Sequence, residues 1–339
     1  MVLFLMTMMG LGCSLMGKEF ISAEEAAEYP GFPFQGEYVG IVEIEAGADP
    51  IKAGLQVAVH GDNRLQGRFH HGGLPGDVSS WTPGDTVVDL EGIYRDHEME
   101  LAGEGSLRIR GTSERLIVWD EDNNYRGRLD PVQRKSPTLG LLPPEEAVVL
   151  FDGSNLDHLR EGASMTDDGL LKEGARSAAD FGDIRLHVEA KLAFMPYAEG
   201  EARANSGIYI QNRYEVQILD SFAMPPTYVD NASLYREEAP LVNASYPPLS
   251  WQTYDVFFRA PRFDENGEKT ENARVTAYLN GALVQDDVEL EGGTGAGGRR
   301  PEVPLAELYL QDHGEPVRFR NVWLVEEEYS PPGTSFLIK

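Results

Sequence analysis

The run NSGIYIQNRYEVQILDS, residues 205–221, decides how the rest of the chain is read. Ile208 and Ile210 alternate with Tyr209 and Gln211, and Val216 and Ile218 alternate with Glu215 and Gln217. Period-two alternation marks a pair of strands, each with one buried and one wet face. A two-residue loop at Asn212-Arg213 would set Ile210 opposite Glu215 and mix the faces. A three-residue loop of Asn212, Arg213 and Tyr214 pairs Gln211 with Glu215 and Tyr209 with Gln217, keeping every Ile and Val on the core side. Because a slip of one residue turns the whole apolar set outward, the longer loop is expected. It gathers Tyr209, Gln211, Glu215 and Gln217 into one polar patch, with Asp220 at its edge.

Outward from this hairpin, the chain has 339 residues, room for two domains that each bury a core. Its 29 Lys and Arg against 56 Asp and Glu leave a net charge of −27, spread along the chain. That excludes nucleic acid and anionic lipid as partners, since both need a basic footprint. Sugars, cations and neutral small molecules remain. Residues 1–17 open with an apolar run, Met1 to Met16, that is too short to span a bilayer and reads as the apolar region of a secretory signal. Export to the periplasm or cell envelope is therefore expected, although no Lys or Arg precedes the run. The single cysteine, Cys13, lies at its end, where a bacterial lipoprotein carries its lipid anchor. Gly10 stands where such motifs usually have Leu, and plain signal cleavage with an incidental Cys is the alternative. One cysteine allows no intrachain disulfide.

After the signal, Ile21 to Glu28 can form a short helix capped by Ser22. Residues 20–135 then carry short β-like runs between Gly, Asp and Pro turns, an all-β accessory domain. His70-His71 are adjacent on a strand and point to opposite faces, so they read as structural or surface residues. The Pro-rich stretch 136–146 reads as a linker, and residues 147–328 as a second all-β domain, a β-sandwich by pattern, before a tail at 329–339. Asn280-Gly281 marks a tight hairpin within it.

Gly293 to Gly298 formally fits a dinucleotide-binding glycine pattern, but no helix can follow it, so it reads as a flexible loop. Walker, zincin and serine-hydrolase motifs are missing. The chemistry-bearing segment is ELYLQDHG: if Leu308 and Leu310 face the core, Tyr309, Gln311 and His313 line a groove with Asp312 at the strand end. A neutral imidazole beside a carboxylate can serve as general base or metal ligand, or simply pin the following loop. Glu215 is either a functional carboxylate or a solvated one paired with Arg318 or Arg320. Trp251 and Tyr209 are sugar-stacking platforms or core. A retaining glycosidase would need two close carboxylates, and YEVQIL carries one.

Together with PPLSWQTYDVFFRAPRFDENGEKTENARVTAYLNG and LYLQDHGEPVRFRNVWLV, the opening hairpin resembles the 3-keto-disaccharide hydrolase domain family from about Ala147 to Glu328. The segments GEYVG and HHGGLPGD resemble an accessory β region found beside this domain in planctomycete proteins. The resemblance implies a concanavalin A-like jelly-roll sandwich and exported proteins that cleave glycosides already oxidised at C3. Such chemistry needs a base for the C2 proton, an electrophile for the enolate and an acid for the leaving oxygen. It implies His313 as base or metal ligand, held by Asp312, and Glu215 as second acid/base or ligand. Gln217, Gln311 and Arg318 would bind or stabilise the enolate, with Tyr209, Gln211, Asp220 and Trp251 as substrate contacts. A divalent cation is the one cofactor to look for, with His313 and Glu215 as its ligands, and an oligosaccharide or 3-keto-disaccharide is the partner. The chain departs from many relatives at Asn231-Ala-Ser-Leu-Tyr235, where they carry an acidic-Cys-Gly run before a Tyr. The competing expectations are a carbohydrate-binding module without catalysis and a structural domain of a surface complex.

Overall fold

The computed structural model describes residues 17–77, 81–82, 84–103, 107–295 and 297–332. The expected signal with Cys13, and residues 333–339 of the tail, lie outside the described residues. The chain divides into two units, Met1–Gln133 with Ala193–Arg203, and Arg134–Leu192 with Ala204–Lys339. Among the described residues, no helix is long and apolar enough to cross a membrane.

In the first unit, a short helix α1 (Ala23–Ala26) begins at Ser22, whose Oγ accepts from Glu25 N at 3.2 Å. Eight strands follow: β1 (Gly36–Val42), β2 (Ile51–Val59), β3 (Arg64–His71), β4 (Val87–Arg95), β5 (Glu98–Gly103), β6 (Arg108–Thr112), β7 (Arg115–Trp119) and β8 (Tyr125–Val132). Each pairs antiparallel with the next, and β1 with β8, so the sheet closes into a barrel and leaves no edge. A barrel of this strand number is just wide enough for side chains to fill. Leu55, Phe69, Leu101, Ile109 and Leu129 do so, each fully buried. The interior is crowded enough that a Cβ on Gly67 would sit 3.1 Å from Leu101 Cδ1. His70 and His71 both lie on β3, and the buried His70 ring is 3.3 Å from Gln56 Oε1. The excursion Ala193–Arg203 belongs to this unit: Phe194 lies 5.8 Å from Phe20 and 5.7 Å from Tyr29, ring to ring.

The second unit contains β9 (Val148–Phe151), β10 (Leu171–Lys172), β11 (Arg176–Phe181), β12 (Ile184–Leu192), β13 (Ser206–Ile210), β14 (Tyr214–Ile218) and β15 (Trp251–Arg259). These are followed by β16 (Arg262–Phe263), β17 (Lys269–Glu271), β18 (Ala273–Leu279), β19 (Ala282–Leu290), β20 (Ala306–Leu310) and β21 (Val317–Glu326). A long sheet runs β10-β21-β12-β15-β18-β19, with β9 also on β21, and a short sheet runs β11-β20-β13-β14. The sheets meet through their apolar faces, as the Tyr214 and Phe258 rings show at 5.1 Å. Leu186, Val188 and Val256 of the long sheet and Ile208, Val216 and Ile218 of the short one are all buried. This is the concanavalin A-like jelly-roll sandwich that the resemblance implies. Asn280 (φ 52°) and Gly281 (φ 82°) make the expected tight turn between β18 and β19, both left-handed as a primed hairpin turn requires.

The stretch expected as a linker packs into this unit. Ser136 and Thr138 are buried, hydrogen-bonding Thr253 Oγ1 at 2.6 and 2.8 Å, and Leu141 O accepts from Trp323 Nε1 at 3.2 Å. Polar residues on the outer face of β12 and β15 give this turn-containing, Pro-rich segment enough hydrogen-bond partners to dock.

Candidate functional site

The hairpin forms with a register different from the expected one. Ile210 pairs with Tyr214, Ile208 with Val216, Tyr209 with Glu215 and Gly207 with Gln217, so the loop is Gln211-Asn212-Arg213. The faces keep their composition because the shift is even, but Gln211 leaves the strand. Gln211 (φ 52°) and Asn212 (φ 53°) are both left-handed, which Asn tolerates well and Gln poorly. What compensates Gln211 is tertiary: its Nε2 donates to Phe181 O at 3.0 Å and Pro304 O at 2.9 Å.

Nor is the polar face wet. Tyr209, Gln211, Glu215, Gln217 and Asp220 are all buried. Segment 232–235 hydrogen-bonds along the free edge of β14, through Ala232 N to Gln217 O, Gln217 N to Ser233 O and Tyr235 N to Glu215 O. Gly293, Thr294 and Gly297 of the glycine run also dock there. Thr294, fully buried, accepts from Glu215 N at 2.8 Å and donates its own amide to Arg213 O at 3.0 Å. These residues thus pack on the hairpin instead of hanging free. Alternation reports one apolar face, and cannot report whether later loops cover the other.

Across the short sheet, four outward-facing residues stand in one transverse row. Arg176 pairs with Tyr309, Tyr309 with Tyr209, and Tyr209 with Glu215. The Tyr209 hydroxyl hydrogen-bonds the Glu215 carboxylate. Burial first, then the Glu215 charge, pushes the Tyr209 pKa far above the ordinary phenol value, so the phenol stays protonated. Gln311 Nε2 approaches the Tyr209 oxygen at 3.5 Å. A Cβ on Gly207 would collide with Glu215 Oε1, so glycine leaves that carboxylate its place. A buried carboxylate hydrogen-bonded to a neutral phenol is a base beside a fixed proton donor.

The other expected site residues lie elsewhere or are spent on the backbone. The strand ends at Leu310, so His313 does not share its polar face; His313 is exposed, with Nδ1 2.8 Å from Glu315 Oε2. Asp312 does not hold it: Asp312 Oδ1 accepts from Gly314 N at 3.0 Å, closing the turn. The Arg318 partner is Glu173 at 2.6 Å and the Arg320 partner Glu189 at 2.7 Å, so neither pairs with Glu215 as the plain alternative had it. Trp251 lies on the long sheet opposite Lys191, with the Arg320 guanidinium 4.0 Å from its ring. Gln217 is spent on the backbone: its Oε1 accepts from Ile218 N at 3.1 Å. Asp220 Oδ1 accepts from Phe222 N at 3.3 Å. Among the described residues, no group of three or more His, Cys, Asp or Glu side chains is placed to hold a metal ion.

Sequence reasoning missed Arg176 and Thr294 at this face, and a buried network under the 136–141 segment. There His187 Nδ1 lies 2.6 Å from Asp255 Oδ1, its Nε2 3.6 Å from Glu189 Oε1, and its ring stacks on Trp323 at 5.2 Å. Burial pushes the His187 pKa down, but bonds to Asp255 and Glu189 outweigh this and raise it to about 9. Burial pushes Glu189 up, yet its bonds from His187, Asn321, Arg320 and the Gly140 amide bring it to about 2. The one signal was the alternation of His187 and Glu189 in DIRLHVEAKL, which gave no partner.

A family model described as the 3-keto-alpha-glucoside-1,2-lyase-like domain matches residues 146–325, just over half of the chain. A solved structure of a protein from Parabacteroides distasonis, provisionally named a glycosyl hydrolase, is 33% identical, covering 54% of this chain and 85% of its own, with a TM-score of 0.49. A second such protein from that organism is 16% identical over 56% of this chain and 99% of its own, with a TM-score of 0.40. No curated protein matches the chain.

Proposed function

The chain belongs to the 3-keto-alpha-glucoside-1,2-lyase-like family through residues 146–325, and from that premise we propose that it cleaves 3-keto-glycosides with Glu215 as the base. The ketone at C3 acidifies the C2 proton, and the Glu215 carboxylate takes it. The electron pair passes into a C2=C3 enolate, whose oxygen receives a hydrogen bond from the Tyr209 phenol. As the enolate collapses, C3=O reforms, C1=C2 forms and the C1–O bond breaks. The leaving oxygen takes a proton from water, and Glu215 returns its own to water. Water adding across C1=C2 then makes the net reaction a hydrolysis.

The observation that carries this reading is the buried Tyr209–Glu215 pair on the short sheet's outer face, between β13 and the edge strand β14. Burial and the bond between them hold the carboxylate and the phenol in place, and the phenol O–H turns from Glu215 to the enolate oxygen as the carboxylate takes the proton. His313, exposed and bound to Glu315, has neither advantage. The test is release of 3-keto-glucose from 3-keto-trehalose by the wild type, Glu215→Gln and His313→Ala. Glu215→Gln is expected to lose roughly a hundredfold or more in kcat, and His313→Ala to stay near wild type. The reverse order would move the base to His313. No product from the wild type, with glycan binding intact, would make the domain a carbohydrate-binding module.

A further inference from the structure

We propose that Arg176, seated on the ring of Tyr309, forms the subsite for the sugar that leaves, and so selects hydroxyl-rich leaving groups over small or apolar ones. This rests on Glu215 being the reacting end. Along the row, and among the described residues, one direction from Glu215 is left for a second ring. Segment 232–235 occupies the free edge of β14, and Thr294 closes over the hairpin turn. The other way along the row lead Tyr209, Tyr309 and Arg176, and from Glu215 to Arg176 the row covers three strand spacings, roughly 14 Å, or about two linked pyranose rings.

Exposure rises along that row. Glu215 and Tyr209 are 2% and 4% exposed, whereas the Arg176 side chain is 32% exposed. A substrate would place its oxidised ring in the covered half and its leaving ring in the open half. The Arg176 guanidinium lies 3.6 Å from the Tyr309 ring centroid, a stacked cation–π contact. Its Nη1 is 3.2 Å from Glu307 Oε1, and that oxygen also accepts from Asn212 Nδ2 at 2.7 Å. Tyr309 is held as well, its hydroxyl accepting from Asp312 N at 3.1 Å. The surface presented is therefore a rigid, flat plate of N–H donors. Sugar hydroxyls match it, and an alkyl group leaves it unpaired. Lys could keep the charge and lose the plane.

The experiment compares kcat/KM for 3-keto-trehalose and methyl 3-keto-α-glucoside, which share the reacting ring and differ in what leaves. The wild type is expected to favour the disaccharide. Arg176→Lys is expected to lower that ratio by about tenfold, through KM more than kcat, as loss of hydrogen bonds to a charged donor would. Tyr309→Leu, which removes the support under the guanidinium, is expected to lower it in the same direction. A ratio that does not move in either variant, with both substrates weakened alike, overturns the subsite while leaving the lyase reading intact. An enzyme that turns over neither substrate overturns both.

Discussion

Gly207 shows how much of this site hangs on a single missing atom. It pairs with Gln217, and any Cβ there strikes the carboxylate of Glu215. An exposed carboxylate would swing aside, but this one is buried and tied to Tyr209. Gly207→Ala is therefore expected to keep the fold and shift the carboxylate, lowering kcat by about a hundredfold, the scale of a displacement near one ångström. Steady-state kinetics and a melting curve on the same preparation check this. An unchanged kcat would mean that the position of Glu215 does not matter to the reaction. Residue identities such as Glu215 and Tyr209 were legible in the sequence as polar alternates. Their pairing was not, because the loop chose Gln211 over Tyr214 through acceptors at Phe181 and Pro304, far away in the chain.

Among the elements, the segment 136–141 and the outer face of β12 behave as one polar unit. Thr138 Oγ1 donates to Asp255 Oδ2 at 2.7 Å, and the Gly140 amide donates to Glu189. The charge between Asp255 and Glu189 is supplied by His187. With its folded pKa near 9 against 6.5 for the free group, His187 contributes stability that is fully present below pH 6.5 and is lost as pH rises through 9. Glu189, near 2 against 4.5, contributes stability present above pH 4.5 and lost as pH falls through 2. Between these limits the network is intact. The unfolding free energy from denaturant melts is expected to fall from pH 6.5 to 9 in the wild type, by a few kcal/mol at most. His187→Gln should start lower and stay flat over that range; a parallel slope in both proteins would place the titrating group elsewhere. Strands and the Asn280-Gly281 turn were readable from period and turn chemistry. The role of a Pro-rich stretch was not, because its hydrogen-bond partners lie on other strands.

For the molecule as a whole, the two units are interleaved in sequence. The excursion Ala193–Arg203 leaves β12 and returns to β13, yet it belongs with the barrel. A fragment cut at residue 134 therefore carries Phe194, fully buried in the intact chain, without the Phe20 and Tyr29 rings that cover it. Exposing one such side chain costs about 1.5–3 kcal/mol and leaves a sticky loop. Fragment 134–339 is expected to bind a hydrophobic dye and to melt below the full chain. Replacing 193–203 in the fragment by a short Gly-Ser loop should remove the dye binding. Dye binding that survives the replacement would locate the exposed surface outside this segment.

The sequence by itself determined the all-β class, the apolar faces of the hairpin and sandwich strands, the tight turn at Asn280-Gly281 and the residue types of a carbohydrate site. These are local properties: alternation with period two and the backbone freedom of Asn and Gly are written in neighbouring residues. Only the tertiary structure decided which of those residues meet. Arg176, Tyr309, Tyr209 and Glu215 come from four strands paired out of chain order, and no spacing in the sequence brings them to one row. It also decided which polar face is covered, and so which carboxylate is buried against a phenol. His313 fell outside for the same reason: β20 stops at Leu310, Asp312 turns the chain into Gly314, and the imidazole is left in water beside Glu315.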